Sequence, residues 1–451
     1  MFVGIDFGTS NSSIGLYRGN KLQLFELDPG HINPNVLPSF IYATRDLEFS
    51  LGTSAIQNYL DQETGRQPVW EKHDLGKITI TVAGAGKGPI VYDQPVFVDV
   101  DVAANGRLLQ SIKTALRSSN YEGTQIFNRY YSVEELIAVL LTRLRETCEK
   151  SVGQPVEKAV IGRPVKFSDD LQTDQRAQQK LHAAAQLAGF KEIVFEFEPI
   201  GGAYLYHQTQ SRRQNVFVFD FGGGTLDMTI AEVGGSKGPR VIANQGVLLG
   251  GDDLTSTLMK WLLRYFGEGS LLSDGFPFPQ HIFEMLFSWQ NMVELSKPQY
   301  TKIIEQAKNG SDPLSAERLE ALVNNKLGFQ LFQELERVKI GLSSSYYMQL
   351  KFLEGDLRFS DTILRSRYER LIQREVKLVD DAIDELMKKS GLKPHQIHAV
   401  LRTGGSSEIP VFIEALGRRF DPNRIKDINP FTTIVGGLAL RGYEISQSRL
   451  T

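Results

Sequence analysis

Two glycine-rich loops built to one pattern constrain this chain more than any other feature. The first reads Gly4-Ile5-Asp6-Phe7-Gly8-Thr9-Ser10-Asn11-Ser12, the second Val218-Phe219-Asp220-Phe221-Gly222-Gly223-Gly224-Thr225-Leu226-Asp227. A short apolar run leads into each, Met1 to Ile5 and Val216 to Phe219, and each turns sharply into a second apolar run. The pattern predicts a β-hairpin with a phosphate-sized tip. Glycines let backbone N–H groups approach an anion, and the Asp ahead of them can order a divalent cation. One such loop is ordinary turn chemistry, because Asp-x-Gly is common in turns. Repetition, with Asp6 in one loop and Asp220 and Asp227 in the other, predicts a duplicated fold that clamps a nucleoside triphosphate between its halves.

A chain of 451 residues can bury more than one core, so two lobes are expected. Charge is nearly balanced, with 50 Lys plus Arg against 53 Asp plus Glu, so neither nucleic acid nor a membrane is expected as a partner. Apolar content of 41% excludes a disordered chain. Cys148 is the single cysteine. It rules out an internal disulfide, suits a reducing compartment, and falls in the amphipathic run Val133 to Glu149, where packing is expected over reactivity. No basic segment followed by an apolar core opens the chain, and Asp6 interrupts it early, so a signal peptide is not expected. The apolar run Leu136 to Leu141 is far too short to span a bilayer. A cytoplasmic protein is the expectation.

Along the chain, the first 27 residues read as three strands with a turn at Arg18-Gly19-Asn20. From Pro34 to Asn120 the pattern is irregular, with a turn at Gly84 to Pro89, and reads as an insert. Ser132 with Glu135 makes a capping box that starts a helix. Lys158 to Gly162 reads as a buried strand, and Asp174 to Ala188 as a helix stopped by Gly189. Gly250-Gly251-Asp252-Asp253-Leu254 opens a helical region to about Ser345, interrupted by a loop from Gly267 to Pro279. A strand pair (Met348 to Leu353, Asp356 to Phe359), a long helix (Asp361 to Ser390) and the strand His398 to Arg402 follow. Asn429-Pro430 then opens a short helix of small residues, Ile434 to Leu440.

Several enzyme motifs are excluded. Asp-Phe-Gly is a protein-kinase tripeptide, but no His-Arg-Asp or Gly-x-Gly-x-x-Gly accompanies it, and no Walker A loop is present. Gly234-Gly235-Ser236-Lys237-Gly238 fits the hydrolase Gly-x-Ser-x-Gly pattern, yet it lies between two strands and reads as a plain turn. The seven histidines lack metal-ligand spacing. On spacing alone, Glu336 and Lys339 read as a surface ion pair on a helix with Leu331, Leu335, Val338 and Leu342 on its apolar face.

Taken together and in order, these segments resemble the ATPase domain of the heat-shock protein 70 (DnaK-type) chaperones. The matching pieces are Gly4 to Ser12, Lys158 to Phe167, Gln175 to Phe190, Phe197 to Pro199 with Gly201 to Tyr204, and Phe219 to Asp227. They continue through Leu249 to Leu254, Glu334 to Ser345, Gln396 to Pro410 and Asn429 to Leu440. Actin and the sugar kinases share the two loops but not the adenosine motif. The resemblance implies an α/β, actin-like ATPase (ribonuclease H-like) fold of two duplicated lobes, each with a mixed five-stranded sheet and an inserted subdomain. The expected lobes are 1–212 with 428–451 (insert about 38–119) and 213–427 (insert about 247–358).

It also implies site roles, with ATP or ADP and Mg2+ as cofactors. Asp6 and Asp220 match carboxylates around a magnesium ion and its waters. Gly8, Thr9, Ser10 and Asn11 match the first phosphate loop, and Gly222, Gly223, Gly224 and Thr225 the second. Glu198 matches a glutamate near the metal and attacking water, and Asp227 a further catalytic carboxylate. Gly250 and Gly251 belong to the nucleotide contacts; Glu336, Lys339 and Ser343 match residues on ribose and adenine; Gly404, Gly405 and Ser406 match the turn under the adenosine.

The chain also departs from the family. A catalytic lysine is expected in a Gly-x-x-Ala-Lys context; the best match, Gly52-Thr53-Ser54-Ala55, is followed by Ile56, so slow hydrolysis is expected. Ile340 and Glu408 stand where arginines stack on adenine, so weaker or altered nucleotide affinity is expected. A peptide-binding domain is not expected after Leu440, an ending shared with truncated YegD-type members of the family. The 252–331 region looks longer than the family's usual insert. The expected function is a slow, ATP-binding, chaperone-related ATPase acting with an unidentified client or co-chaperone. A sugar-type small-molecule kinase and an actin-like filament protein are the alternatives.

Overall fold

The computed structural model describes residues 1–19, 21–82, 90–235 and 238–448. Asn20, the predicted turn at Gly84 to Pro89 and residues 236–237 of the Gly234 to Gly238 motif lie outside them. Two mixed sheets organise the chain, and they share one strand order. In the first, Phe2–Phe7 pairs antiparallel with Asn11–Arg18, which pairs antiparallel with Lys21–Leu24. On its other side Phe2–Phe7 runs parallel to Lys158–Arg163, and that strand parallel to Glu192–Phe197. In the second, Gln214–Phe221 pairs antiparallel with Leu226–Val233, and that strand with Arg240–Val247. Its other edge runs parallel to Ile397–Thr403 and then Ile425–Asp427. A two-residue strand, Leu37–Pro38, adds to Asn11–Arg18 in the first sheet alone.

The duplication extends to the helices. Val133–Val152 precedes the first sheet's parallel strands and Gln373–Ser390 those of the second; each is amphipathic and buries its apolar stripe. Ser132 and Glu135 form the predicted reciprocal cap on Val133–Val152, and Gly153 in the left-handed region ends it. Buried Cys148 sits on its inner face, with burial pushing the thiol up to about 12, so it packs rather than reacts. Each sheet's last strand leads into a further helix, Glu198–Gln208 or Pro430–Ser448. These two cross with backbones in contact. A Cβ on Gly437 would collide with the carbonyl oxygen of Gly201, and one on Gly201 with backbone of Ile434. The small residues read from Ile434 to Leu440 therefore allow a crossing of main chains, and the helix they belong to is far longer than that stretch.

Between strand and helix the inserts diverge. The first carries a three-stranded sheet (Phe40–Thr44, Phe49–Leu51, Gly106–Gln110), the helix Thr53–Glu63, and a two-stranded ribbon, Trp70–Val82 with Ile90–Asp101. The second is helical from Gly251–Leu262 to Gly328–Ser344 and closes on the hairpin Tyr347–Glu354 with Leu357–Leu364. The expected helix Asp361 to Ser390 is corrected in its first turn. Residues to Leu364 stay in the hairpin, where Ile363 is buried opposite Met348, and helices Arg365–Leu371 and Gln373–Ser390 follow. The strands on either side of the Gly234 to Gly238 motif, Leu226–Val233 and Arg240–Val247, are antiparallel partners. Among the described residues no helix is long and apolar enough to cross a membrane.

Candidate functional site

Both glycine loops are hairpin tips, and they face one another. A Cβ at Gly223 would strike Ser10 Oγ, and one at Gly224 would strike Thr9 Oγ1. The backbone supports the second loop from behind: Gly222 N–H donates to Thr225 O at 3.0 Å, and Gly251 N–H donates to Gly222 O at 3.0 Å. A cavity of about 400 Å³ opens along the two tips. Asp6, Gly8, Thr9, Ser10 and Asn11 line it from the first sheet; Asp220, Gly222, Gly223, Gly224 and Thr225 line it from the second. Glu198, Gly251, Glu336, Lys339, Ser343, Gly404, Gly405 and Ser406 complete the predicted set on its walls.

Two predicted residues stand behind the wall. Asp227 pairs with Asp220 across the second hairpin and accepts the Val165 N–H at 2.6 Å, which ties the hairpin to the chain following the strand Lys158–Arg163. Gly250 lies against the carbonyl of Gly223, too close for a side chain, and supports the loop from below.

The pair Glu336 and Lys339 is more than a surface ion pair. Lys339 is buried, donating to Glu336 at 2.7 Å and to Gly251 O at 3.0 Å. Glu336 also accepts from Thr255 Oγ1. The helix Gly328–Ser344 is thereby fastened to the turn that carries the second loop. Ser406 Oγ donates to Gly222 O at 3.3 Å and joins the 404–406 turn to the same loop.

Lys113 is the residue that sequence reasoning missed. It is buried in the short 3₁₀ helix Ile112–Arg117, and its ammonium donates to Glu198 Oε1 at 2.6 Å on the cavity wall. Arg117, one turn on, donates to Gly224 O. Position 56, where a lysine is expected, holds Ile56; the cavity wall nevertheless carries Lys113. Ile56 sits on the helix Thr53–Glu63 against the aromatic cluster that holds Tyr59, Trp289 and Phe329, and it lines not this cavity but a neighbouring one that shares Ser10, Asn11, Gly223 and Gly224. The signal was a lysine within the apolar run Ile112-Lys113-Thr114-Ala115-Leu116, an uncommon place for an ammonium without a buried partner.

Electrostatics sets the site apart from the rest of the molecule. Burial, then the Glu198 carboxylate, raises Asp6 to about 7 despite Lys113. The same two causes raise Asp227 to about 7, against the hydrogen bonds from Thr225 and Val165. Asp220 is pushed well above the usual carboxylate range by burial and by Glu198, Asp227 and Asp6. Asp252, at the mouth of the second loop, is raised to about 6 chiefly by burial. Asp6, Asp220, Asp227 and Glu198 crowd one another around the Lys113 ammonium, and ionising all four would leave an excess of negative charge that a divalent cation would neutralise. Among the described residues no three His, Cys, Asp or Glu side chains converge as direct metal ligands. Such a donor set would suit a hydrated ion and not a directly ligated one. The buried Thr403 Oγ1 on the wall has no hydrogen-bond partner among the described residues, which leaves it for a ligand or water.

At the far end of the cavity the walls are Ile340, Ser343, Glu408 and Ile409. Ile340 is 61% exposed and Glu408 is exposed, so an aliphatic face and a carboxylate border that end.

Comparisons with known proteins fit this geometry. A model of the family described as Hsp70 protein matches residues 103–273 and 315–448, more than half of the chain. Lys113 falls inside that match and Ile56 before it. The chaperone protein DnaK from each of two strains of Thermus thermophilus is 27% identical over 453 aligned residues, covering 97% of this chain. The chain spans 60% of the length of each of those proteins.

Proposed function

Because the chain belongs to the Hsp70 family, whose fold is the actin-like ATPase fold, we propose that it binds ATP and ADP with magnesium in the cavity between its two sheets and hydrolyses ATP there. The observation that carries this reading is the meeting of two hairpin tips, Thr9 and Ser10 against Gly224 and Gly223, on one cavity wall with Lys113 and Glu198. Backbone N–H groups of both tips and the Lys113 ammonium would take the phosphates. Magnesium, when bound, spreads charge off the β- and γ-phosphates. Glu198, oriented by Lys113, would position the attacking water, while Asp227 holds the second hairpin and its Asp220 in place. Glu336, Lys339 and Ser343 with the Gly404 to Ser406 turn would hold the nucleoside.

We infer two lobes, 1–212 with 428–451 and 213–427. The shared strand order supports this division, as does the packing of Pro430–Ser448 on the first sheet, where Gly4 meets the Ala439 backbone. With Lys113 in place, the argument for slow hydrolysis from position 56 falls away. A chaperone-related role follows from the DnaK likeness. In it, nucleotide state changes the relation of the lobes, and a client or co-chaperone responds only as far as it binds the two states with different affinity.

Calorimetry with Mg-ATP and Mg-ADP on the wild type and on Asp220→Ala tests the reading. Wild-type binding that the substitution weakens strongly is expected; equal affinity, or no binding by either protein, would overturn it.

A further inference from the structure

Across the second sheet a polar row runs at the level of the cavity. Parallel register sets Thr403 beside Asp220, and antiparallel register sets Asp220 beside Asp227. Residues paired in register leave a sheet on the same face. Their neighbours along the strands, Phe219, Phe221, Leu226 and Met228, turn the other way into the apolar core. Asp220 and Thr403 line the cavity, while Asp227 is engaged behind it by the Val165 N–H. Thr403 is 2% exposed. Its Oγ1 has no hydrogen-bond partner among the described residues, although Asp220 stands on the adjacent strand, a backbone spacing of about 4.8 Å. A hydroxyl withdrawn from bulk water and left unpaired is costly, so a ligand or an ordered water must meet it.

The duplication of the two sheets says which. In the first, Ile5 pairs with Ile161 in parallel register, so the place beside Asp6 falls to Gly162. A Cβ there would lie 3.0 Å from Glu198 Cγ. The missing side chain of Gly162 therefore admits Glu198, whose carboxylate takes the Lys113 ammonium at 2.6 Å on the same cavity wall. Matching places thus flank the two aspartates. One is filled by the Glu198 carboxylate, the other by the Thr403 hydroxyl. Water on a divalent cation turns its oxygen to the metal and both hydrogens outward, so what it takes from a protein is acceptors. A threonine oxygen beside a carboxylate is an acceptor, and it keeps its own proton to donate onward.

We propose that Thr403 is a positioning residue of the cation site, its Oγ1 accepting one hydrogen of a metal-bound water whose other hydrogen goes to Asp220. The inference rests on the nucleotide reading above. The Gly404 to Ser406 turn begins one residue on, so direct contact of the hydroxyl with the nucleotide is the rival outcome.

Wild type, Thr403→Val and Thr403→Ser are titrated with ADP by calorimetry, once with excess magnesium and once with EDTA. Valine keeps the shape and removes the acceptor; serine keeps the acceptor. In Thr403→Val the affinity for ADP with magnesium falls about tenfold, and the affinity with EDTA stays at the wild-type value. Thr403→Ser follows the wild type in both. Without ligand, Thr403→Val melts no lower than the wild type, because no bond within the fold is lost. Equal losses with magnesium and with EDTA would put the hydroxyl on the nucleotide itself and overturn the assignment. An unchanged magnesium dependence would overturn it as well, and so would a lower melting temperature without ligand, which makes the hydroxyl part of the fold. A wild type that binds no ADP under either condition sinks the nucleotide reading instead. Thermal shifts with magnesium alone then decide for Thr403: a smaller shift in Thr403→Val supports the assignment, and equal shifts overturn it.

Discussion

At the scale of single residues, motif reading looks for an ammonium at position 56 and meets Ile56, whereas the fold sets Lys113 on the cavity wall. Lys113 and Ile56 belong to the same insert, but only Lys113 reaches a carboxylate of the cavity, at 2.6 Å from Glu198. Replacing Lys113 with Met removes a preorganised donor, and turnover of ATP is expected to fall by about 10²–10³-fold. Nucleotide affinity should change far less. Single-turnover phosphate release and calorimetry on the same variant separate the two effects. Ile56→Lys, aimed at the helix packing against Tyr59 and Trp289, leaves the rate per folded molecule unchanged, and a gain in rate would restore position 56 as the site of the missing lysine. The base end offers the opposite experiment. Ile340 is largely exposed on the wall, so Ile340→Arg has room to stack a guanidinium over a bound base. A gain of about 0.5–2 kcal/mol in Mg-ADP affinity is expected by calorimetry. No gain would mean that the base does not lie against this helix.

At the scale of elements, legibility followed how local the cause was. Both hairpins with their tips, the Ser132–Glu135 cap and the stop before Gly189 of the helix read as Asp174 to Ala188, which starts three residues earlier at Leu171, were readable, because turn chemistry and capping act within a few residues. The ribbon Trp70–Val82 with Ile90–Asp101 was not: its described side chains are largely exposed, so burial imposes no apolar alternation on them. Lys113 was missed for a similar reason, since its partner Glu198 lies 85 residues away and only the folded sheet brings them together. The cavity wall proposed for a nucleoside, Glu336 to Ser343 and Gly404 to Ser406, came through the family resemblance and not from spacing, which favoured a surface ion pair. The crossing of Glu198–Gln208 with Pro430–Ser448 was visible only as a run of small residues. It supports a prediction at this scale. Gly437→Ala places a methyl group against the Gly201 carbonyl, an obstacle of backbone that cannot rotate away. A loss of about 1–3 kcal/mol is expected in urea unfolding. Wild-type stability would mean that the helices do not cross here.

At the scale of the whole molecule, two duplicated sheets present their hairpin tips to one another, and that arrangement concentrates acidic groups where they meet. Asp6 and Asp227 both rest near 7 in the fold against an ordinary 3.8, through burial first and Glu198 second. Between these values the folded chain keeps protons that the unfolded chain releases. Stability therefore falls as pH rises through this window, and the loss is complete above the folded values. Without nucleotide or magnesium, the melting temperature should be lower at pH 8 than at pH 6. Asp227→Asn removes one of the titrating carboxyls and should flatten that slope. Magnesium with ADP would place positive charge beside ionised carboxylates, so its stabilising effect should be larger at pH 8 than at pH 6. Calorimetric scans of both proteins at the two pH values, with and without Mg-ADP, check all three relations. A variant slope as steep as the wild type's would remove Asp227 as a cause. A ligand effect independent of pH would mean that the cation does not bind near this cluster.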